Sequence, residues 1–211
     1  MNNMNTLELA THGPVIPVIV LQRVEDAVPL AQALVDGGVR VLEVTLRTPV
    51  ALRCMEAIAK AVPEAIVGAG TVRNAADAQA AKDAGCRFAV SPGYVAEVGA
   101  ACLSIGLPLL PGVASASEVM QANLDGYQFL KFFPATAAGG IPMLKALAGP
   151  FPDVVFCPTG GITAETAAQF LALPNVRVCG GSWLTPQEAV DAKDWARITR
   201  LARDTARLRA S

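Results

Sequence analysis

Lys131 is the residue whose setting most strongly indicates chemistry. It lies in the apolar run YQFLKFF, residues 127–133, which has the composition of a buried strand. Because successive side chains of a strand point to opposite faces, Tyr127, Phe129, Lys131 and Phe133 share one face. Burial disfavours the charged form of lysine, and an uncharged amine can form a Schiff base with a carbonyl compound. A core lysine neutralised by a carboxylate is the structural alternative.

Glu43 is the carboxylate that could serve in either arrangement. It lies in the run VLEVTLR, residues 41–47, whose second, fourth and sixth residues are aliphatic and share one face. We expect that face to contact helices, so Glu43 and Arg47 point into the protein, with Arg47 nearer the rim. Buried charges are costly unless they are paired or bind a ligand. The pattern therefore predicts either an ion pair or a ligand site.

Two glycine pairs predict a phosphate-binding site. Gly160 and Gly161 follow the seventh strand-like run of the chain, and Gly180 and Gly181, with Ser182, follow the eighth. Glycine lets the backbone approach an anion closely, and amide groups at a helix start can donate hydrogen bonds to it. One pair would also be typical of a tight turn, but two pairs at neighbouring strand ends favour phosphate.

Two further strand ends carry candidate ligand contacts. Gly70-Thr71-Val72 closes the third run and Ser91-Pro92-Gly93 closes the fourth. The Thr71 hydroxyl could donate a hydrogen bond to a substrate carboxylate. Turn formation alone would also explain both motifs, so their value lies in their position at the same rim.

The elements that hold these residues alternate regularly. Eight strand-like runs lie at 14–21, 39–46, 65–72, 86–91, 107–113, 127–133, 154–159 and 176–182, and segments with helical periodicity separate them. Eight such units predict an α/β fold, a (β/α)8 TIM barrel, with functional side chains at the C-terminal strand ends. An open doubly wound sheet is the alternative, but no G-x-G-x-x-G turn follows an early strand. We expect a single domain over 1–211, with a short helical lead before the first strand.

The composition argues against several functional classes. Seventeen Lys and Arg balance eighteen Asp and Glu, for a net charge of −1, so nucleic acid and anionic membranes are not expected partners and small molecules are favoured. The N-terminal residues lack an export signal, which predicts a cytoplasmic protein. His12, the one histidine, is expected in a surface turn, so neither a His-rich metal site nor a Ser-His-Asp triad is predicted. The five scattered cysteines indicate reduced packing residues.

Together these motifs resemble the 2-keto-3-deoxy-6-phosphogluconate (KDPG) aldolase family, whose members often also act on 4-hydroxy-2-oxoglutarate (KHG). The resemblance covers nearly the whole chain through GGVRVLEVTLRT (37–48), VGAGTV (67–72), SPG (91–93), KFFPA (131–135), CPTGGI (157–162) and GGSWL (180–184). It implies a homotrimeric TIM-barrel lyase, a class I (Schiff-base) aldolase that needs neither a metal ion nor an organic cofactor. Such an enzyme cleaves its phosphorylated keto acid to pyruvate and D-glyceraldehyde 3-phosphate.

The resemblance also implies a role for each candidate residue. Lys131 would form the Schiff base, and Glu43 would be the general acid and base. The implied substrate contacts are Arg47 and Thr71 for the carboxylate, Pro92 and Phe133 for the keto-acid pocket, and Gly160, Gly161, Gly180, Gly181 and Ser182 for the phosphate.

Four alternatives remain open at this point, one of which is an aldolase acting on a non-phosphorylated hydroxy-keto acid. The loops at 114–117 and 136–140 match the family less closely, so a 2-dehydro-3-deoxy-6-phosphogalactonate aldolase, which differs in the stereochemistry at C4, is one alternative. A phosphosugar isomerase on the same barrel would use the phosphate site and Glu43 as a base, without needing the Lys131 amine. A non-catalytic sugar-phosphate sensor would bind such a ligand without releasing pyruvate.

Overall fold

The computed structural model describes residues 6–209, in which short strands alternate with α-helices. The strands are β1 Val15–Ile19, β2 Val41–Thr45, β3 Ile66–Gly70, β4 Phe88–Val90, β5 Leu109–Leu110, β6 Gly112–Val113, β7 Phe129–Phe132, β8 Val155–Pro158 and β9 Cys179–Gly181. The helices are α1 Thr6–Leu9, α2 Ala27–Asp36, α3 Ala51–Ala61, α4 Ala75–Asp83, α5 Ala96–Ser104, α6 Ala116–Leu124, α7 Gly140–Ala148, α8 Ala164–Leu171, α9 Gln187–Asp191 and α10 Trp195–Ala206. Single 3-10 turns lie at Val24–Asp26 and Arg207–Arg209.

The strands close into a parallel barrel. Hydrogen bonds connect them in the order β5-β4-β3-β2-β1-β9 and, in a second set, β6-β7-β8. β5 and β6 are two halves of one barrel strand on either side of Pro111, which has no N–H to donate. Parallel bridges from Phe156 to Val176 and from Thr159 to Gly180 join β8 to the β9 segment and complete the ring. The predicted (β/α)8 TIM barrel is thereby confirmed.

Alternation along the strands separates two apolar layers. One parity points into the barrel, where Val41, Phe88 and Phe129 belong to the inner cluster. The other parity, which includes Leu42 and Val44, packs against the surrounding helices. The predicted facing of the second strand is therefore confirmed, and it sends Glu43 into the barrel.

The N-terminal helix covers the end of the barrel at which the strands begin. Leu9, its last residue, and the following Ala10 are buried in the inner cluster together with Ile16 at the start of the barrel. His12 is exposed in the turn that follows, as predicted. Residues 1–5, 210 and 211, which the domain prediction also covers, lie outside the described residues.

Two of the outer helices begin at residues whose side chains cap the free amide groups of the first turn. The Ser115 hydroxyl accepts a hydrogen bond from the Glu118 amide, and the Ser115 amide donates one to the Glu118 carboxylate, a capping box that starts α6. The Asn74 side chain caps α4 in a similar way.

Within residues 6–209, no helix is long and apolar enough to cross a membrane.

Three details of the sequence prediction are wrong. The fifth run, 107–113, is broken at Pro111 rather than continuous. Tyr127 does not share the inner face, because β7 begins only at Phe129 and the Tyr127 ring packs edge-on against Tyr94 in the outer layer, with 5.4 Å between centroids. The second glycine pair does not follow the eighth barrel strand but forms its last two residues.

Candidate active site

Lys131 and Glu43 form a buried ion pair inside the barrel. The Lys131 Nζ lies 3.0 Å from Glu43 Oε1 and 3.4 Å from Oε2, and both side chains are about 95% buried, with 5% and 4% of their surface exposed. Removing two charges from water is costly, and a pair in this position is weak evidence for a purely stabilising role. The distance is also within reach for proton transfer between the carboxylate and the amine.

The two residues come from strands on different sides of the barrel. Lys131 on β7 lies between Gly112 of β6 and Cys157 of β8, whereas Glu43 on β2 pairs with Gly68 of β3. The lysine side chain therefore reaches across the barrel interior to meet the glutamate. Both parts of the strand-parity prediction, for Lys131 and for Glu43, are confirmed.

Gly70 gives the Glu43 carboxylate its space. A Cβ atom at this position would lie 2.7 Å from Glu43 Cγ and 3.0 Å from Cδ, well inside carbon contact distance. Sequence reasoning placed Gly70 in a turn motif and missed this contact. The available signal was a glycine within a strand, which often marks a close approach by another group.

Cys157 is a second residue of the site that sequence reasoning missed. It faces the barrel interior beside Lys131, and burial raises the pKa of its thiol to about 12. The positive charge of Lys131 opposes this rise in pKa, and the negative charge of Glu43 adds to it. The thiol is thus protonated at neutral pH and is not an activated nucleophile.

Arg47 and Thr71 meet at the rim above the ion pair. Arg47 is exposed, and its Nε donates a 3.3 Å hydrogen bond to Thr71 Oγ1. Thr71 has a φ of +65°, in the left-handed region that β-branched residues rarely adopt. Backbone strain of this kind is concentrated at functional positions. The two predicted carboxylate contacts therefore lie together, and Thr71 directly follows Gly70, the strand residue packed against Glu43.

Phe133 links the lysine to the first glycine pair. Its ring centroid lies 5.3 Å from the Lys131 Nζ, and a Cβ on Gly160 would lie 3.3 Å from the same ring. Pro92 lies on the other side, where its backbone contacts Gly112, the neighbour of Lys131 in β6. Phe133 and Pro92 are both half-buried, so they border the opening above the amine.

The two glycine pairs lie side by side at the upper rim. Gly160 and Gly161 have φ values of +102° and +76°, which favour glycine, and they form the turn between β8 and α8. Gly180 of β9 is bridged to Thr159, the residue before that turn, and a Cβ on Gly180 would collide with the Thr159 side chain. Ser182 follows and is exposed. The structure thus brings together the predicted phosphate residues, at the same end of the barrel as Phe133.

The arrangement has the parts that Schiff-base chemistry requires. A buried amine and a carboxylate are in contact, a cation and a hydroxyl lie at the rim, and a glycine-rich turn lies beyond an aromatic wall. No group of three or more His, Cys, Asp or Glu side chains that could hold a metal ion occurs in the described part of the chain.

Comparison with known proteins is consistent with this geometry. The family model described as "Aldolase: KDPG and KHG aldolase" matches residues 7–201. The KHG/KDPG aldolase of Escherichia coli (strain K12) is 52% identical over 196 residues, which cover 93% of this chain and 92% of that protein.

Two solved structures are informative. The KDPG aldolase of Legionella pneumophila, with pyruvate captured at low pH as a covalent carbinolamine intermediate, is 50% identical, with a TM-score of 0.92 over 94% of this chain and 96% of that one. A cube-shaped protein cage designed by fusing symmetric oligomeric domains is 28% identical, with a TM-score of 0.81 over 93% of this chain and 72% of that one. With its barrel, its buried lysine and these relatives, the chain belongs to the KDPG and KHG aldolase family.

Proposed function

We propose that this protein is a class I aldolase that cleaves 2-dehydro-3-deoxy-6-phosphogluconate to pyruvate and D-glyceraldehyde 3-phosphate, and also cleaves 4-hydroxy-2-oxoglutarate to pyruvate and glyoxylate. The observation that carries the proposal is the Lys131 Nζ held 3.0 Å from the Glu43 carboxylate inside the barrel. The names of its relatives, a KHG/KDPG aldolase and a KDPG aldolase trapped with pyruvate, support the same chemistry.

The first half of the reaction builds the imine. Glu43 accepts a proton from the Lys131 ammonium group, and the freed amine attacks C2 of the keto acid to form a carbinolamine. Proton transfer to the C2 hydroxyl releases it as water and leaves a protonated imine. The low exposure of both side chains limits competition from bulk water at this step.

The second half breaks the C3–C4 bond. Glu43, directly or through a water molecule, takes the proton of the C4 hydroxyl, the C3–C4 electrons move into the protonated imine, and the aldehyde leaves. The remaining enamine takes a proton at C3, which Glu43 can return. Water then adds to the imine, releasing pyruvate and the Lys131 amine.

The rim residues would hold the two ends of the substrate. Arg47 and Thr71 would bind the carboxylate, since a guanidinium and a hydroxyl both donate hydrogen bonds to it. Phe133 and Pro92 would border the keto-acid pocket. At the far end, Gly160 and Gly161, with Gly180, Gly181 and Ser182, would bind the phosphate.

We further propose that the enzyme works in the cytoplasm as a homotrimer. The likeness to a cage built from symmetric oligomeric domains, of which this chain matches 72%, supports symmetric assembly. The number three comes from the family resemblance of the sequence.

The test of the imine is borohydride reduction in the presence of pyruvate, followed by peptide mass spectrometry. We expect a reduced pyruvate adduct on Lys131. Lys131→Arg should remove the adduct and the release of pyruvate from KDPG, measured by coupled lactate dehydrogenase. Lys60→Arg is the matched control. Lys60 is exposed on α3, where it pairs with Glu56, so adduct and cleavage should be retained.

The outcomes separate the competing functions. A folded protein that forms no adduct on Lys131 would remove the class I aldolase mechanism. Turnover of a phosphosugar by Lys131→Arg would favour the isomerase instead. Binding of KDPG without pyruvate release by the unmodified protein would favour a sensor.

A further inference from the structure

The loop between β7 and α7, residues 134–139, is docked onto the first glycine pair. Its Ala135 amide donates a 2.7 Å hydrogen bond to the Thr159 carbonyl oxygen. Its Thr136 amide donates a 3.1 Å hydrogen bond to the Gly160 carbonyl oxygen. These two bonds hold the loop that follows the Lys131 strand beside the turn between β8 and α8.

Thr136 places its side chain directly against Gly161. A Cβ atom on Gly161 would lie 2.5 Å from the Thr136 Oγ1 and 2.7 Å from its Cβ, so a larger residue than glycine would displace the threonine. At Gly160 the corresponding neighbours are apolar, since an added Cβ would lie 3.3 Å from the Phe133 ring and from the Pro134 Cα. Among the neighbours of this glycine pair, the Thr136 Oγ1 is therefore a polar atom at close range.

The hydrogen-bonding groups at this turn are unused within the described part of the chain. Thr136 is exposed, and its Oγ1 has no hydrogen-bond partner among residues 6–209. The amides of Gly160, Gly161 and Ile162 likewise donate to no protein group in that range. The next amide, that of Thr163, is already occupied by α8. A hydroxyl and a run of free amides thus lie together, and donors of both kinds bind phosphate oxygens.

This group of donors lies at the end of the site that is remote from the amine. The Phe133 ring is 5.3 Å from the Lys131 Nζ on one side and contacts Gly160 on the other. A substrate bonded to Lys131 through C2 would therefore bring only its far end to Thr136. The phosphate of KDPG is at that end, whereas KHG terminates in a carboxylate closer to C2.

We propose that the Thr136 hydroxyl determines specificity for phosphorylated substrate by donating a hydrogen bond to the phosphate group held at Gly160 and Gly161. This inference rests on the aldolase function proposed above and adds a side chain that distinguishes KDPG from KHG. The loop that carries it, at 136–140, is one of the two that match the family less closely, so the contact is a property of this chain rather than of the shared motifs.

The first test compares kcat/KM for KDPG and for KHG in the wild type, Thr136→Val and Thr136→Ser. Valine keeps the branched shape against Gly161 but has no proton to donate, whereas serine keeps the hydroxyl. Losing a hydrogen bond to a charged group should lower kcat/KM for KDPG about tenfold in Thr136→Val. Serine should restore it, and KHG cleavage should be unchanged in both variants. Thr11→Val is the matched control, because Thr11 is exposed near α1 and its hydroxyl donates to the Glu8 carbonyl oxygen.

The same kinetics can overturn the proposal in two ways. Wild-type constants for KDPG in Thr136→Val would mean that the hydroxyl makes no contact with the phosphate. Equal losses on KDPG and KHG, or the same loss in Thr136→Ser, would mean that the side chain acts through packing of the loop. Thr136→Ala removes the hydroxyl without placing a methyl group against Gly161, so it should reproduce the KDPG-specific loss even if valine disturbs the loop.

Binding of glycerol 3-phosphate, measured by isothermal titration calorimetry, separates this contact from the aldolase function. The Kd should be about tenfold higher for Thr136→Val than for the wild type and Thr136→Ser. That pattern in a wild type that does not cleave KDPG would refute the aldolase function and retain the phosphate contact. Cleavage of KDPG by the wild type with equal Kd values for all three proteins would refute the contact and retain the aldolase. A wild type that neither cleaves KDPG nor binds glycerol 3-phosphate would refute both.

Discussion

Replacing Gly70 by alanine tests whether the position of the Glu43 carboxylate matters for cleavage. The added methyl group would lie 2.7 Å from Glu43 Cγ and 3.0 Å from Cδ, whereas carbon atoms in contact are about 3.5–4.0 Å apart, so the side chain must move by about 1 Å. The Lys131 Nζ is 3.0 Å from the nearer carboxylate oxygen, and a shift of that size away from it brings the pair to the limit of an ion pair.

The expected magnitudes follow from that displacement. A catalytic group misplaced by about 1 Å costs on the order of 10²-fold in rate, which corresponds to about 2.7 kcal/mol. The free energy of unfolding should fall by about 1 kcal/mol if Glu43 only adopts a strained rotamer, and by about 3–5 kcal/mol if the buried pair is lost. We therefore expect cleavage to fall about 100-fold in a protein that still folds.

The measurements are pyruvate release from KDPG and urea unfolding, with Gly149→Ala as the matched control. An alanine Cβ at position 149 would have no neighbour closer than 3.9 Å, and its φ of −67° suits any residue. The control should keep cleavage. Wild-type cleavage by Gly70→Ala would refute the reasoning, since it would mean that the carboxylate can work from another position.

Four further predictions follow from the site and its surroundings. Glu43→Gln should retain borohydride trapping of pyruvate better than it retains cleavage, and equal loss of both would mean that Glu43 mainly holds Lys131 in place. Thr71→Gly should relieve the strained left-handed backbone and raise the free energy of unfolding by about 1 kcal/mol. It should also raise the pyruvate concentration needed for trapping. A lower stability in urea would contradict the strain at this position. Ser182→Ala should weaken binding of phosphorylated substrate by about 1 kcal/mol, with KHG cleavage unchanged, and an equal effect on both substrates would move the phosphate elsewhere. Burial raises the pKa of Cys86 and Cys157 from 9.0 to about 12, so the folded state holds these thiol protons more tightly than the unfolded state does. Their contribution to the free energy of unfolding is therefore complete below pH 9 and is lost as the pH rises from 9 towards 12. Urea unfolding across that range should show the decline, and a flat profile would contradict it.

The residues of the site could be predicted from the sequence where a local rule applied. Strand alternation placed Lys131 and Glu43 inside the barrel, because one isolated charge in an apolar strand can be assigned to a face from its neighbours. The contact between them could not be predicted in the same way. It joins residues 88 positions apart on strands that do not pair, so only the closed barrel brings them within 3.0 Å.

The errors have equally local causes. Pro111 lies in a run whose composition suits a strand. The break there comes from its missing N–H and from the pairing of β5 and β6 with different neighbours. Tyr127 fits the alternation, but the strand starts two residues later and its ring finds a partner in Tyr94. Gly180 looked like a turn residue, although it is a strand residue packed so closely on Thr159 that no Cβ fits. A close approach between strands requires glycine just as a turn does, so the two cannot be told apart from the sequence.

The pairing of the first strand with the last has a consequence for how the protein is made. β1 is hydrogen-bonded to β9, with Val15 opposite Cys179, so one edge of the first strand stays unpaired until the chain has been synthesised past Cys179. An open strand edge is a template for pairing with other chains, and parallel sheets with distant partners fold slowly. Products of premature termination before Cys179 would keep that edge permanently open. Completion of the last barrel strand is therefore the step at which a nascent chain stops being prone to aggregation and becomes a closed enzyme.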